Sequence, residues 1–268
     1  MTELSDTITF LGTAGARFVV IRQLLASGGA WLDLGGTQIL VDPGPGSLVQ
    51  VVRRKLAPAK LDAIILSHKH LDHSGDINIM IEAMTDGGTR KHGTVFAPAD
   101  ALDQDPVILP YLRSCPHSVQ VLSEGGSYTI NDVCFRTPVR HRHPVETYGF
   151  IFQTPRQTFS WITDTRCFDD LAGHYEGNVL ILNVVRLKPG APLDHLALPE
   201  ARSIIEQVKP TTAILTHFGM TMWGAKPWEL AEKLSQETGI RVIAARDGMK
   251  FNLAQLEAVQ GKPRQSDL

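Results

Sequence analysis

Cysteine is scarce: Cys115, Cys134 and Cys167 are the only three in 268 residues. They are too scattered for a disulfide framework or a CxxC metal knuckle, so reduced, mostly structural thiols are expected. No window approaches the roughly 18 consecutive apolar residues of a membrane span, and the start MTELSDTITFLG has no basic segment leading into an apolar one. A cytoplasmic protein with no membrane partner is expected. Lys and Arg number 26 against 28 Asp and Glu, a formal net charge of −2 with no long basic run. That excludes a general electrostatic attraction to nucleic acid, so a polyanion would have to be held locally. The glycine-rich stretches GTAGAR and ASGGAW have no Lys where a phosphate loop needs one, and are read as tight turns near the mouth of a site. Repeats, low-complexity tracts and linkers are also missing. Residues 1–268 are therefore read as one domain with a frayed tail from about residue 254.

What is present is a rhythm of short apolar runs. TITFLG opens as a strand, and Gly35-Gly36 divides AWLDL from TQILVD as a hairpin turn would. A helix is expected from near Pro45, a buried strand LDAIILSH ending at His68, and a helix from Gly75 to Met84. SVQVL, SYTI, VCFRTPVRHRH, YGFIFQT and FSWITDT read as a meander of strands. The last third alternates strands NVLILNVV, TTAILTHF and IRVIAA with helices LPEARSIIEQV and PWELAEKLSQE. Helices are too few to wrap a fully parallel sheet, so a β-sandwich with helices on its outer faces fits best, an α/β fold.

Potential metal ligands collect where these strands end. His68, His70, Asp72 and His73 follow AIIL, His143 follows FRTPVRHR, Asp164 follows FSWIT and His217 follows TAILT. Imidazole with carboxylate suits Zn²⁺, Mn²⁺ or Fe. His68 and His70 are two apart, so an extended segment projects both to one side and Lys69 to the other. They can share one ion, Asp72 and His73 at the turn into the following helix suit a second, and Asp164 is placed to bridge them. Asp42 in VDPGPG is read as supporting the cluster's loop. His92, His117 and His174 lie in polar, loop-like surroundings and are read as surface residues, and Cys167 as a small buried one.

The pattern His-x-His-x-Asp-His with a later His, Asp and His resembles the metallo-β-lactamase superfamily. The likeness runs through TFLGTAGAR, VDPGPG, LSHKHLDHSGD, TDT, LTHFG and ARDGM. It implies an αβ/βα four-layer sandwich with two divalent ions, zinc first and Mn or Fe as alternatives, at one edge. It also implies that His68, His70 and His143 hold the first ion, Asp72, His73 and His217 the second, and Asp164 both. VRHRHPVETYGF offers His141 and His143 on the same side of a strand. The resemblance favours His143 by its distance from Gly149-Phe150 and leaves His141 in support.

Within the superfamily, a β-lactamase would carry Cys at Asp164, and a flavodiiron protein would carry Glu at His70 and an added domain. The segment DHLALPEARSIIEQVKPTTAILTHFG is similar to its counterpart in ribonuclease Z and the small cyclic-phosphodiester hydrolases. That likeness implies that His195 meets the phosphate and aids the leaving group. The basic arm of ribonuclease Z and the zinc-binding cysteines of the cyclic-phosphodiester enzymes are both missing. The expected function is thus a dinuclear-metal phosphodiesterase acting on a small or exposed phosphodiester, in which a metal-bridging hydroxide attacks phosphorus with Asp72 and His195 as catalytic groups. A lactone or thioester hydrolase and a non-catalytic metal-binding protein are the alternatives, and a homo-oligomer is left open. Arg17 or Arg22 is available for an anion contact, with nothing in the spacing to choose between them.

Overall fold

Gly35 and Gly36 both take positive φ, 62° and 95°, which a two-residue hairpin turn demands and glycine reaches without strain. The hairpin joins β2 (Ala30–Leu34) to β3 (Thr37–Val41), with Leu34 opposite Thr37. It lies in the first of two seven-stranded sheets of the computed structural model, which describes residues 6–27, 29–103, 105–190 and 194–253. The expected frayed tail lies outside the described residues. The first sheet runs β14 (Lys250–Asn252), β1 (Thr7–Phe10), β2, β3, β4 (Ala63–Ile65), β5 (Thr94–Ala97), β6 (Ser118–Val121). The second runs β7 (Gly126–Ile130), β8 (Val133–Thr137), β9 (Phe150–Gln153), β10 (Thr158–Ile162), β11 (Val179–Asn183), β12 (Thr212–Thr216), β13 (Arg241–Ala244). Read from β14 and from β7, both sheets follow one pattern: three antiparallel pairings, then three parallel ones. The topology is repeated although no sequence repeat announces it.

Central strands are apolar on both faces because both faces are covered. In β4, Ala63 and Ile65 join the core between the sheets, with Phe10, Phe96, Phe135, Phe150 and Phe152. Ile64 instead packs outward with Val51 of α2 (Ser47–Arg53) and Ile77, Met80 and Ile81 of α4 (Ile77–Met84). In β12, Ile214 faces the inter-sheet core. Ala213 and Leu215 lie against Ala201, Ile204 and Ile205 of α5 (Leu198–Val208) and Ala231 and Leu234 of α7 (Pro227–Thr238). The result is the four-layer α/β/β/α sandwich, with α1 (Ala16–Ile21), α3 (Leu71–Ser74) and α6 (Met220–Gly224) near the strand ends.

Two local expectations need correction. The helix expected from Gly75 to Met84 is α4, starting only at Ile77 and preceded by a separate short helix, α3, because Asp76 between them is tied to the preceding loop: its N–H donates to the Pro43 carbonyl at 2.8 Å and its carboxylate accepts from Leu48 N–H at 3.0 Å. Asp72 and His73 therefore belong to α3 itself and not to a turn. The strand expected through VCFRTPVRHRH stops at Thr137, since Pro138 has no N–H for the ladder. His141 and His143 consequently sit on a loop, free to turn in different directions. The sequence reading also omits α1, α3, β5, α6 and β14.

Candidate metal centre

The site forms at one edge of the sandwich, outside the carboxyl ends of parallel strands, the usual place for a crevice in α/β sheets. In the first sheet, Asp42 follows β3 directly and His68 comes three residues after β4. In the second, Asp164 comes two residues after β10 and His217 directly after β12. His70, Asp72 and His73 arrive on the turn into and through α3, and His143 on the loop after β8. His68, His70 and His143 form one group and Asp72, His73, Asp164 and His217 another, the candidate ligand atoms in each lying within 4.8 Å of one another. Asp164 stands between the groups: its Oδ2 is 4.0 Å from His68 Nε2, 3.3 Å from His73 Nε2 and 3.4 Å from His195 Nδ1.

The imidazoles are aimed from behind. Asp42, buried, accepts Ser67 N–H and Ser67 Oγ–H at 2.7 Å each, and His73 Nδ1 lies 2.9 Å from its Oδ2. Ser67 Oγ in turn lies 3.0 Å from His68 Nδ1. With Nδ1 of both rings engaged behind, the Nε2 lone pairs of His68 and His73 face the site. His143 is fixed the same way: its Nδ1 donates to the Asp194 carbonyl at 2.9 Å, and its Nε2 meets His70 Nδ1 at 3.0 Å. On the far side, Asn183 donates to Asp164 Oδ1 at 2.8 Å and is itself held by Trp161 Nε1 at 3.0 Å. His217 takes a left-handed φ of 59°, and Gly15 packs so closely that a Cβ there would lie 2.2 Å from the His217 carbonyl oxygen.

Four histidines, three buried and His195 half-buried, keep buried nitrogens without a hydrogen-bond partner among the described residues: Nε2 of His68 and of His73, both nitrogens of His217 and Nδ1 of His195. Several lie 3.3 to 3.4 Å from carboxylate oxygens yet out of line for a hydrogen bond. Unpaired polar atoms are costly inside a protein, and convergent lone pairs beside carboxylates fit a divalent cation.

Electrostatics agree with that fit. Burial pushes His68 well down, helped by the neighbouring His73, and holds His70 near 4, helped by His143; both are neutral donors at physiological pH. Burial also depresses His73, but Asp164, Asp42 and Asp72 outweigh it and raise its pKa. For Asp72 and Asp164 burial raises the pKa, yet the surrounding imidazoles keep both carboxyls far below the carboxylate range. The pocket thus concentrates ionised carboxylates that a cation would neutralise.

All seven proposed ligands converge, and His195 joins them, its ring centroid 5.1 Å from that of His143 and its side chain 16% exposed. His141 is buried and turned away, with Nε2 at 2.5 Å from Tyr175 Oη and Nδ1 at 3.2 Å from the Asp164 carbonyl. Burial lowers its pKa to about 3. His117 and His174 are exposed and His92 half-buried, all outside the two groups. Cys167, expected to be buried, is exposed. Arg17 is exposed on α1, and the Arg22 guanidinium lies 5.9 Å from the centroid of the Phe18 ring. Ser67, Asn183 and Tyr175 were missed. Ser67 and Asn183 had a signal, a small polar residue closing an apolar run; Tyr175 had none.

The two loop histidines make a clean contrast. His143→Ala is expected to empty or strongly weaken the first group's metal binding, measured by metal titration. His141→Ala should weaken it only by the ~10- to 100-fold typical of an outer supporting residue. The reverse ranking would exchange their roles.

Residues 37–218 match the profile of the beta-lactamase superfamily domain. An uncharacterised protein of Methanocaldococcus jannaschii is 34% identical over 92% of this chain and 94% of its own. Ribonuclease Z of Bradyrhizobium diazoefficiens is 30% identical over 55% of this chain and 50% of its own length. Among solved structures, the metallo-β-lactamase-fold protein YhfI of Bacillus subtilis superposes with a TM-score of 0.79 at 20% identity, over 92% of this chain and 99% of that one.

Proposed function

The chain belongs to the beta-lactamase superfamily, a family of divalent-metal hydrolases of the metallo-β-lactamase fold, and on that premise we propose that it is a phosphodiesterase with a dinuclear centre. His68, His70 and His143 would hold one ion, Asp72, His73 and His217 the other, and Asp164 both. Bound there, the ions would supply a nucleophile from water near neutral pH and neutralise charge on the phosphoryl oxygens. Asp72, held ionised by its neighbours, orients the attacking water and accepts its proton. His195 faces the same opening and serves the departing oxygen.

The observation that carries this reading is His195 itself. Its Nδ1 is buried without a hydrogen-bond partner among the described residues and lies 3.4 Å from Asp164 Oδ2, at the border of the two ligand groups, where it would meet the phosphoryl group of a substrate. Burial lowers the pKa of His195 and Asp164 pulls it back up. A phosphate anion against the ring adds further negative charge and favours the protonated, donating form. The likeness to a protein named ribonuclease Z supports phosphodiester chemistry, although only half of that protein's length is covered.

The test is turnover by the Zn²⁺- or Mn²⁺-loaded protein of bis-p-nitrophenyl phosphate and cyclic nucleotides beside lactones and thioesters. Phosphodiesters should be the best substrates. Faster hydrolysis of the carbonyl esters would replace this reading with a lactone or thioester hydrolase, and no turnover of either class with full metal content would leave a metal-binding protein.

A further inference from the structure

The ribbon formed by Thr13–Gly15 and His217–Phe218 is stitched by Phe218 N–H to Thr13 O at 2.8 Å and Gly15 N–H to Phe218 O at 3.0 Å. It divides two spaces. Ala14 and His217 line the one that holds Asp72 and His73. Thr13 and Phe218 line the other, a cavity of about 370 Å³ with Leu25, Trp223, Trp228 and Arg246 also in its walls. None of the candidate metal ligands borders it, nor does His195. Its volume is in the range of small-molecule sites.

Three side chains in these walls are left uncommitted by the fold. Trp31 and Trp161 are buried core indoles whose N–H groups donate to Gln38 and Asn183. Trp223 and Trp228 instead meet edge to face at 5.9 Å and 74°, with Trp228 41% exposed, and neither indole N–H has an acceptor among the described residues. Arg246 gives the fold its main-chain carbonyl, which accepts Met249 N–H at 2.9 Å, while its guanidinium has no hydrogen bond or ion pair among the described residues. Asp247 beside it is turned to the backbone instead, its Oδ1 accepting Thr13 N–H and Oγ–H and its Oδ2 accepting Ala26 N–H. Apolar walls, two crossed indole faces and an unpaired guanidinium together describe a ligand. The tryptophans ask for a flat ring, and the planar fork of the arginine asks for a carboxylate or phosphate on it.

We propose that this cavity is a second binding site, separate from the metal centre, for a small aromatic anion of one or two rings. The proposal is independent of the phosphodiesterase reading, and its test needs no turnover. In zinc-loaded protein labelled with nitrogen-15 at its four indoles, 2-naphthoate should shift two of the four indole N–H signals saturably. Trp228→Ala, which deletes one signal, should identify it as one of that pair, and the unmoved signals of Trp31 and Trp161 report an intact fold. The same substitution should weaken 2-naphthoate by about 10-fold, as for loss of one stacking partner. Arg246→Ala should weaken 2-naphthoate by about 10-fold, as for loss of a charged hydrogen bond, and leave the neutral 2-naphthol unchanged. Cyclohexanecarboxylate, an anion without a flat ring, should bind the parent more weakly than 2-naphthoate. Whichever of 2-naphthoate and 2-naphthyl phosphate binds the cavity more tightly then distinguishes a carboxylic acid from a phosphate ester. Absence of a saturable shift at millimolar 2-naphthoate would overturn the proposal. So would equal affinity in the parent, Trp228→Ala and Arg246→Ala, which would place the naphthoate elsewhere, as on the zinc.

Discussion

Asp164→Ala is expected to remove metal and activity together. This carboxylate reaches toward both ligand groups, with Oδ2 near His68, His73 and His195 and Oδ1 near His217. Its removal deletes a shared ligand and leaves Asn183 without its acceptor. Elemental analysis should fall from about two ions per chain to one or none. Turnover should drop by more than the ~10²- to 10³-fold that loss of one electrostatic contact to a transition state costs. Cys167→Ser, three residues on and exposed, should retain both properties. Equal damage from the two substitutions would show that the segment TDTRC had been assigned wrongly, and full metal content in Asp164→Ala would remove the bridging role.

His195→Ala should do the opposite and separate binding from chemistry. The ring lies outside both ligand groups yet borders them, so metal content and thermal stability are expected to stay at the parent's level. Turnover of phosphodiesters with poor leaving groups should fall by the ~10²- to 10⁴-fold typical of a general acid. The deficit should shrink for p-nitrophenyl esters, whose leaving oxygen departs without a proton. A uniform deficit across leaving groups would point to phosphate binding in place of proton donation, and the parent's rate on every ester would remove His195 from the mechanism.

The proposed ligands were legible in the sequence because most of them stand at or just after the abrupt end of an apolar run, His143 on its loop beyond β8 being the exception, and the alternation of those runs also indicated the sandwich. The supporting shell was much less legible. Ser67 looks like one more polar residue in LSHKH, and only folding brings it within reach of Asp42, 25 positions earlier. Tyr175 meets His141 across 34 positions, a separation no local pattern encodes. The strand through Thr137 was overextended because alternation continues past Pro138 in the residue pattern but the backbone ladder does not. β14 escaped notice because three residues carry too little periodicity, and its place beside β1 depends on the whole chain.

That last strand sets a timetable. Thr7 pairs with Asn252, and the β13–β14 connection supplies Asp247 to Thr13 and Ala26 and Met249 O to Phe10 N–H. A nascent chain that has already emerged past His217 holds every proposed ligand, yet β1 still has an open edge and the loop against His217 lacks its anchor. Contacts of such long sequence separation form late, and an unpaired edge invites wrong partners meanwhile. Convergence of the proposed ligands is therefore coupled to synthesis of β14: a chain ending near residue 240 would carry those residues without the pairing that closes the first sheet beside them.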